Sequence, residues 1–204
     1  MKKIGIFGGA GSGKSVILNI LSKNFNSYIL EADKIAHKLY EKENAGYNFI
    51  LELLGENVLN SGKTLDRKKL ADILYKDKEL LEKVNNFIHP LVWKIIEKEV
   101  EEHRNNYEII AVEAALLPEK KNVDYKISRE FFDDIWFIKS EKKIREKRLI
   151  QSRGYSLERV NEIFSKQPTD LEYSEFATKI IDNNSDEKAL KKEIIRLVAD
   201  LEGK

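Results

Sequence analysis

GIFGGAGSGKSVI, residues 5–17, reads as a strand, a glycine loop and a helix in immediate succession. Lys2-Lys3-Ile4-Gly5-Ile6-Phe7 is short, apolar and bounded by glycine, as a buried strand is. From Lys14-Ser15 onward, Val16-Ile17-Leu18-Asn19-Ile20-Leu21 continues with helical periodicity. Between the two, Gly8-x-x-x-x-Gly13-Lys14-Ser15 has the spacing of a phosphate-binding loop. Gly8, Gly9, Gly11 and Gly13 are costly to order, so this backbone has to bend tightly and let another group approach closely. Successive N–H groups curl into a concave nest, the helix N-terminus adds its positive end, and a polyphosphate is held by dipoles. Gly11, Ser12, Gly13, Lys14, Ser15 and Val16 are the expected nucleotide contacts, with Lys14 reaching the β and γ phosphates and the Ser15 hydroxyl binding Mg²⁺. The ligand class is a nucleoside triphosphate. What is done with it is a separate question.

Composition narrows the setting. At 204 residues the chain fits one domain with an insertion better than two independent domains. Hydrophobic residues at 42% are ample for a core, and 36 basic against 35 acidic residues leave a net charge of +1, so bulk charge gives no reason to expect nucleic acid or an acidic membrane surface. No run of uncharged residues approaches the ~20 needed to span a bilayer, and no signal peptide is read before the first strand. Having no cysteine excludes disulfides, thiolate catalysis and cysteine metal sites. A soluble, cytoplasmic, monomeric protein is the expectation.

Further strands are expected at Tyr28-Ile29-Leu30 (ending in Glu31-Ala32-Asp33), at residues 108–112 closed by Glu113, at 134–138 and at 179–181, with a final helix from about Asp186. Residues 34–104 read as amphipathic helix, broken at Gly46, Gly55 and Ser61-Gly62, with Thr64 expected to cap a helix and His89-Pro90 to mark a turn or helix start. Strands alternating with helices imply a parallel sheet with right-handed crossovers, whose ligands sit at the carboxyl ends of the strands. The polar residues at those ends are Gly8 to Gly13, Glu31 and Asp33, Glu113, Lys139-Ser140 and Asp182 to Asn184. Acidic groups beside a phosphate loop point to phosphoryl transfer, and a helical stretch of roughly 70 residues is too long for a plain crossover. An inserted substrate lobe is the expectation.

A GTPase switch would need Asp-x-x-Gly and Asn-Lys-x-Asp. The former occurs only as Asp200-Leu-Glu-Gly203, after the last strand, and the latter is absent. A helical insertion followed by late arginines suggests a small-molecule kinase, in which lid arginines spread the charge of the moving phosphoryl group.

Over nearly its whole length the chain resembles the dephospho-coenzyme A kinase family. Gly8-Gly9-Ala10-Gly11-Ser12-Gly13-Lys14-Ser15 is similar to that family's Gly-Gly-Ile-Gly-Ser-Gly-Lys-Ser loop, and Glu31-Ala32-Asp33-Lys34-Ile35-Ala36 to its Asp-Ala-Asp-x-Ile-Ala. Gly62 to Arg67 resembles Gly-x-Leu-Asp-Arg with one extra residue, and Asn85 to Pro90 is similar to Asn-x-x-x-His-Pro. Leu116-Leu117-Pro118-Glu119 is similar to Leu-Leu-Phe-Glu, and Ile181-Asp182-Asn183-Asn184 matches Ile-Asp-Asn-Asn.

The resemblance implies an α/β fold: a three-layer P-loop kinase core with a five-stranded parallel sheet, an inserted helical substrate lobe and a lid. It places the core at 1–38 and 105–204, the lid at about 141–165 and the coenzyme-binding lobe at 39–104. The implied reaction moves the γ-phosphoryl of ATP, with Mg²⁺, to the ribose 3′-hydroxyl of dephospho-coenzyme A. Asp33, Lys14 and Arg148 are the implied catalytic residues; Asp33, Arg67, His89 and Glu113 face the acceptor; Asn183 joins the ATP contacts; Ser15 and Glu31 hold the metal. The chain departs from the family in having Glu31 for aspartate, Val16 for threonine, and Ala114-Ala115 where proline is usual. The family spaces its lid arginines as Arg-x-x-x-Arg, whereas Arg148 and Arg153 are five apart, about 140° around a continuous helix. Either the helix ends near Gln151-Ser152 or Arg145 takes one role. The alternatives are a nucleoside-monophosphate or other small-molecule kinase of this architecture, and a nucleotide-dependent binding protein without transfer.

Overall fold

Five short runs rich in β-branched and aromatic residues become strands in the computed structural model, which describes residues 1–115, 129–184 and 186–202. They are β1 (Lys2–Phe7), β2 (Ser27–Glu31), β3 (Ile109–Ala114), β4 (Asp134–Lys139) and β5 (Lys179–Asp182). All pair in parallel, in the order β2-β3-β1-β4-β5. β1 is therefore central, and the glycine loop leaves its carboxyl end. The third strand runs past Val112 through Glu113 to Ala114, because Ile6 and Phe7 of β1 pair with those two residues. The stretch Leu116-Leu117-Pro118-Glu119 lies outside the described residues.

Alternation along the strands builds the layers. Ile4, Ile6, Ile109, Ala111, Trp136, Ile138 and Ile181 pack on one face with Ile17 and Leu21 of α1 (Lys14–Asn24). Ile194 and Val198, from the C-terminal helix Glu187–Glu202, complete that layer. Residues offset by one point the other way. Phe7 meets Phe176 edge-on at 5.4 Å, and Phe137 stacks on Tyr173 at 5.0 Å, both partners lying on the helix Asp170–Phe176. Helix, sheet and helix make the three layers expected.

The chain divides into two compact units: one contains Met1–Glu31 and the described residues from 100 onward, the other Ala32–Glu99. The second is helical, with α2 (Ala32–Leu39), α3 (Ala45–Leu54), α4 (Arg67–Lys76) and most of α5 (Lys78–His103). His89-Pro90 is neither a turn nor a start, for Pro90 lies inside α5. Val84, Ile88, Val92 and Ile96 are buried at a spacing of four on both sides of it, and a break there would lose that stripe. Trp93 is buried as well, and Phe87 stacks on Phe49 at 3.9 Å.

Thr64 does not cap α4. Leu65 bridges Leu59 in an antiparallel pair, which keeps the chain extended there, so Asp66 becomes the cap and accepts from the Lys69 N–H at 3.0 Å. After β4 come α6 (Lys142–Arg153) and α7 (Leu157–Ser165), the segment expected as lid; α8 is Asp170–Phe176 and α9 Glu187–Glu202. Among the described residues no helix is long and apolar enough to cross a membrane.

One ion pair fixes the amino edge of the sheet. Asp134, buried at the start of β4, accepts from Lys179 Nζ at 2.7 Å, from Trp136 Nε1 at 2.8 Å and from the Thr178 hydroxyl. Burial alone would raise its pKa, but these donors prevail and hold it below the ordinary carboxylate value. The unfolded chain therefore takes up the proton first as pH falls, and the stability contributed by Asp134 is full above about pH 4 and lost below it. Asp134→Asn is expected to cost about 2 kcal/mol in urea unfolding at pH 7, with the gap to wild type closing at acid pH. A gap independent of pH would contradict this.

Candidate active site

The loop between β1 and α1 turns through residues few side chains tolerate. Gly11 has φ 77° and Gly13 φ 97°, both left-handed, and Gly13 is the N-cap of α1 without any side-chain cap. A Cβ on Gly13 would sit 2.0 Å from Asn183 Nδ2, so the glycine is needed for close approach as well as for the turn. The N–H groups of Lys14 and Ser15, in the first turn of α1, have no intrahelical acceptor and suit an anion. Ser15 is exposed and Val16 half-buried just past the loop, while Ser12 is buried.

Lys14 folds back into the loop. Its Nζ donates to the Gly8 carbonyl at 2.7 Å and lies 3.2 Å from Glu113 Oε1, with both side chains about nine-tenths buried. Glu113 is in register with Glu31 on the neighbouring strand β2, so the two carboxylates project from the same face at the carboxyl edge. Glu31 and Glu113 are oxygen donors of the kind Mg²⁺ takes, and Ser15 in the first turn of α1 is the hydroxyl that could join them.

The loop is gripped from α6. This helix runs unbroken to Arg153 and ends on Gly154, in the left-handed conformation at φ 64°. Arg145 and Arg148, three apart and so on one face, both reach the loop, whereas Arg153 is exposed at the last turn. Arg145 Nε donates to the Ala10 carbonyl at 3.0 Å, and its guanidinium stands 4.5 Å over the ring of Phe164. Arg148 donates to the carbonyls of Gly11 and Ser12 at 3.3 Å each, to Ser140 Oγ at 3.1 Å and to the Asn183 carbonyl at 3.0 Å. Burial pulls both guanidinium groups below their usual pKa range, which still leaves them charged. Asn183 is itself buried and donates from Nδ2 to the Ser12 carbonyl at 2.7 Å.

These contacts bring Gly11, Ser12, Gly13, Lys14, Glu113, Arg145, Arg148 and Asn183 together at one sheet edge, with Ser15, Val16 and Glu31 beside them. Asp33, Arg67 and His89 belong to the second unit. Asp33 is exposed in the first turn of α2, Arg67 is exposed at the start of α4, and His89 is half-buried in α5. Sequence reading gave Ser140 only a place at a strand end and missed Gln167, whose Oε1 accepts from the Ala10 N–H at 3.0 Å. Ser140 follows β4 directly and was open to that rule; Gln167 sits between two short helices, where no pattern marks it.

Comparison with known proteins decides among kinases sharing such a loop. The family described as dephospho-CoA kinase matches this chain over residues 2–189. The chain belongs to the dephospho-CoA kinase family. A dephospho-CoA kinase of Prochlorococcus marinus is 34% identical, the match covering 91% of this chain and 89% of the relative. One from Aquifex aeolicus is 31% identical over 98% of both chains. The structure of the dephospho-CoA kinase from Campylobacter jejuni superimposes with a TM-score of 0.67 at 25% identity, covering 98% of this chain and 96% of the other. As a dephospho-CoA kinase, the chain is a phosphotransferase that uses ATP and makes coenzyme A in the final step of its biosynthesis.

Proposed function

We propose that this chain transfers the γ-phosphoryl of ATP to the ribose 3′-hydroxyl of dephospho-coenzyme A with Asp33 as base, Lys14 and Arg148 as charge stabilisers and Mg²⁺ held by Ser15 and Glu31. The observation that carries the reading is the Lys14–Glu113 pair at 3.2 Å beneath the loop, which keeps an ammonium at the mouth of a phosphate nest. When triphosphate enters, Lys14 exchanges loop carbonyls for the β and γ oxygens. The loop N–H groups and the positive end of α1 hold the β phosphate, and Arg148 and Arg145 face the charge that spreads over the transferring group. Mg²⁺, which Ser15 and Glu31 would hold, would supply positive charge to offset what develops on the transferring phosphoryl group. Glu113 faces the acceptor side. Asn183 stiffens the floor of the ATP site through its bond to Ser12.

The lobe 39–104 takes the coenzyme side, with Arg67 and His89 as its contacts, and the segment at about 141–165 acts as lid. The chain works in the cytoplasm as a monomer, and a net charge of +1 gives no reason to expect a nucleic-acid partner. Titration calorimetry separates the two ligands. Arg67→Ala is expected to weaken dephospho-coenzyme A binding about 10-fold, the loss of one charge-assisted contact, while leaving Mg·ATP binding within about twofold. A loss confined to ATP would give the lobe the opposite job.

A further inference from the structure

Both backbone polar groups of Ala10, at the crown of the phosphate loop, are held by one pair of side chains. The Ala10 carbonyl accepts from Arg145 Nε at 3.0 Å, and the Ala10 N–H donates to Gln167 Oε1 at 3.0 Å. Arg145 Nη2 donates to the same Oε1 at 2.8 Å and closes the ring. Because both partners of that atom are donors, it is the amide oxygen that faces them, and its two lone pairs take one N–H each. We propose that Gln167 is a positioning residue for phosphoryl transfer, one that acts through Arg145 by tying its guanidinium to the crown of the loop.

Three observations carry this. The oxygen accepts from the loop and from the arginine at once, and a charged donor makes such a bond short and strong. The backbone of Gln167 is fixed on both flanks. On one side the N–H of Lys166 closes α7 onto the carbonyls of Ile163 and Phe164; on the other, Thr169 forms a reciprocal capping box with Glu172 at the start of α8. The ring also leaves no room beside it, since a Cβ on Gly9 would lie 2.0 Å from Arg145 Nη2 and 2.8 Å from Gln167 Oε1. Without the amide oxygen, Arg145 keeps its Nε bond to the loop and its stack on Phe164, but loses the bond that fixes its Nη2 edge against the crown. An arginine whose edge is no longer fixed loses the alignment on which stabilisation of a transferring phosphoryl depends.

The proposal rests on the reading that Arg145 acts on the phosphates, and a double-mutant cycle tests the two separately. Gln167→Met keeps length and removes the acceptor; Gln167→Glu keeps the acceptor. Steady-state kinetics are measured for wild type, Gln167→Met, Gln167→Glu, Arg145→Ala and the Gln167→Met/Arg145→Ala double variant, with thermal unfolding of each. Gln167→Met is expected to lower kcat about 10-fold with KM for dephospho-coenzyme A unchanged. In the Arg145→Ala background the same change adds less than about twofold. Gln167→Glu is expected to recover most of kcat while raising KM for ATP, because a carboxylate now stands near the triphosphate. Losses that multiply in the double variant, or a Gln167→Glu variant no better than Gln167→Met, would overturn the positioning role while leaving Arg145 in place. An Arg145→Ala variant with wild-type kinetics would overturn both. Should Gln167→Met unfold early, Gln167→Ala takes its place in the same cycle, with the same outcomes expected.

Discussion

Lys14→Ala is expected to lower kcat by about 10³-fold, since the ammonium that meets the charge on the β and γ oxygens is gone. The structure adds a second effect that the sequence did not suggest. Lys14 Nζ lies 3.2 Å from Glu113, and Glu113 is only 9% exposed, so the alanine variant takes an ammonium away from a buried carboxylate. Removing one partner of a buried pair costs about 3 kcal/mol. The two effects come apart in a double variant. Lys14→Met with Glu113→Gln removes both charges, and its urea unfolding midpoint is expected to return close to wild type while turnover stays absent. Near-normal turnover in either variant would mean that the loop does not use Lys14 in transfer. A double variant as unstable as Lys14→Ala would mean that the pair is not what holds this edge.

Asp33→Asn is the second large effect, a fall in kcat of about 10²-fold or more with Mg·ATP binding nearly unchanged. Transfer to an alcohol needs a group that aligns the hydroxyl and accepts its proton as the bond forms. Asp33 follows Glu31, the last residue of β2, by two positions, and it is exposed. It is not the cap of α2, which already begins at Ala32, so its carboxylate serves the helix only as a favourable charge in the first turn. Asparagine keeps the shape and removes the basic oxygen pair. Normal turnover in Asp33→Asn, with Glu31→Gln or Glu113→Gln inactive, would move the base to that glutamate. An inactive Asp33→Asn that had also lost Mg²⁺-dependent ATP binding would make Asp33 a metal ligand.

The sheet, its parallel sense and the loop were legible because each rests on local pattern: short apolar runs, a fixed glycine spacing, a helix period from Lys14 onward. Errors arose where a distant partner set the outcome. β3 extends to Ala114 because β1 pairs with it, and Thr64 yields its cap to Asp66 because Leu65 is bridged to Leu59. Pro90 reads as a break, yet a buried stripe spanning it keeps α5 in one piece. At the site, the end of α6 decides which arginines share a face. The helix reaches Arg153, so Arg145 and Arg148 share the face that meets the loop. Gln167 was invisible because its meaning comes from Ala10, 157 residues earlier in the chain.

Acceptor choice is read from ADP release, coupled to a chromatographic assay of product, with ATP and a panel of acceptors: dephospho-coenzyme A, nucleoside monophosphates, other small alcohols, and none. One ADP is expected for each coenzyme A formed, Mg²⁺-dependent, with other acceptors turning over at a small fraction of that rate. ADP release that ignored dephospho-coenzyme A, or that favoured a nucleoside monophosphate, would contradict this.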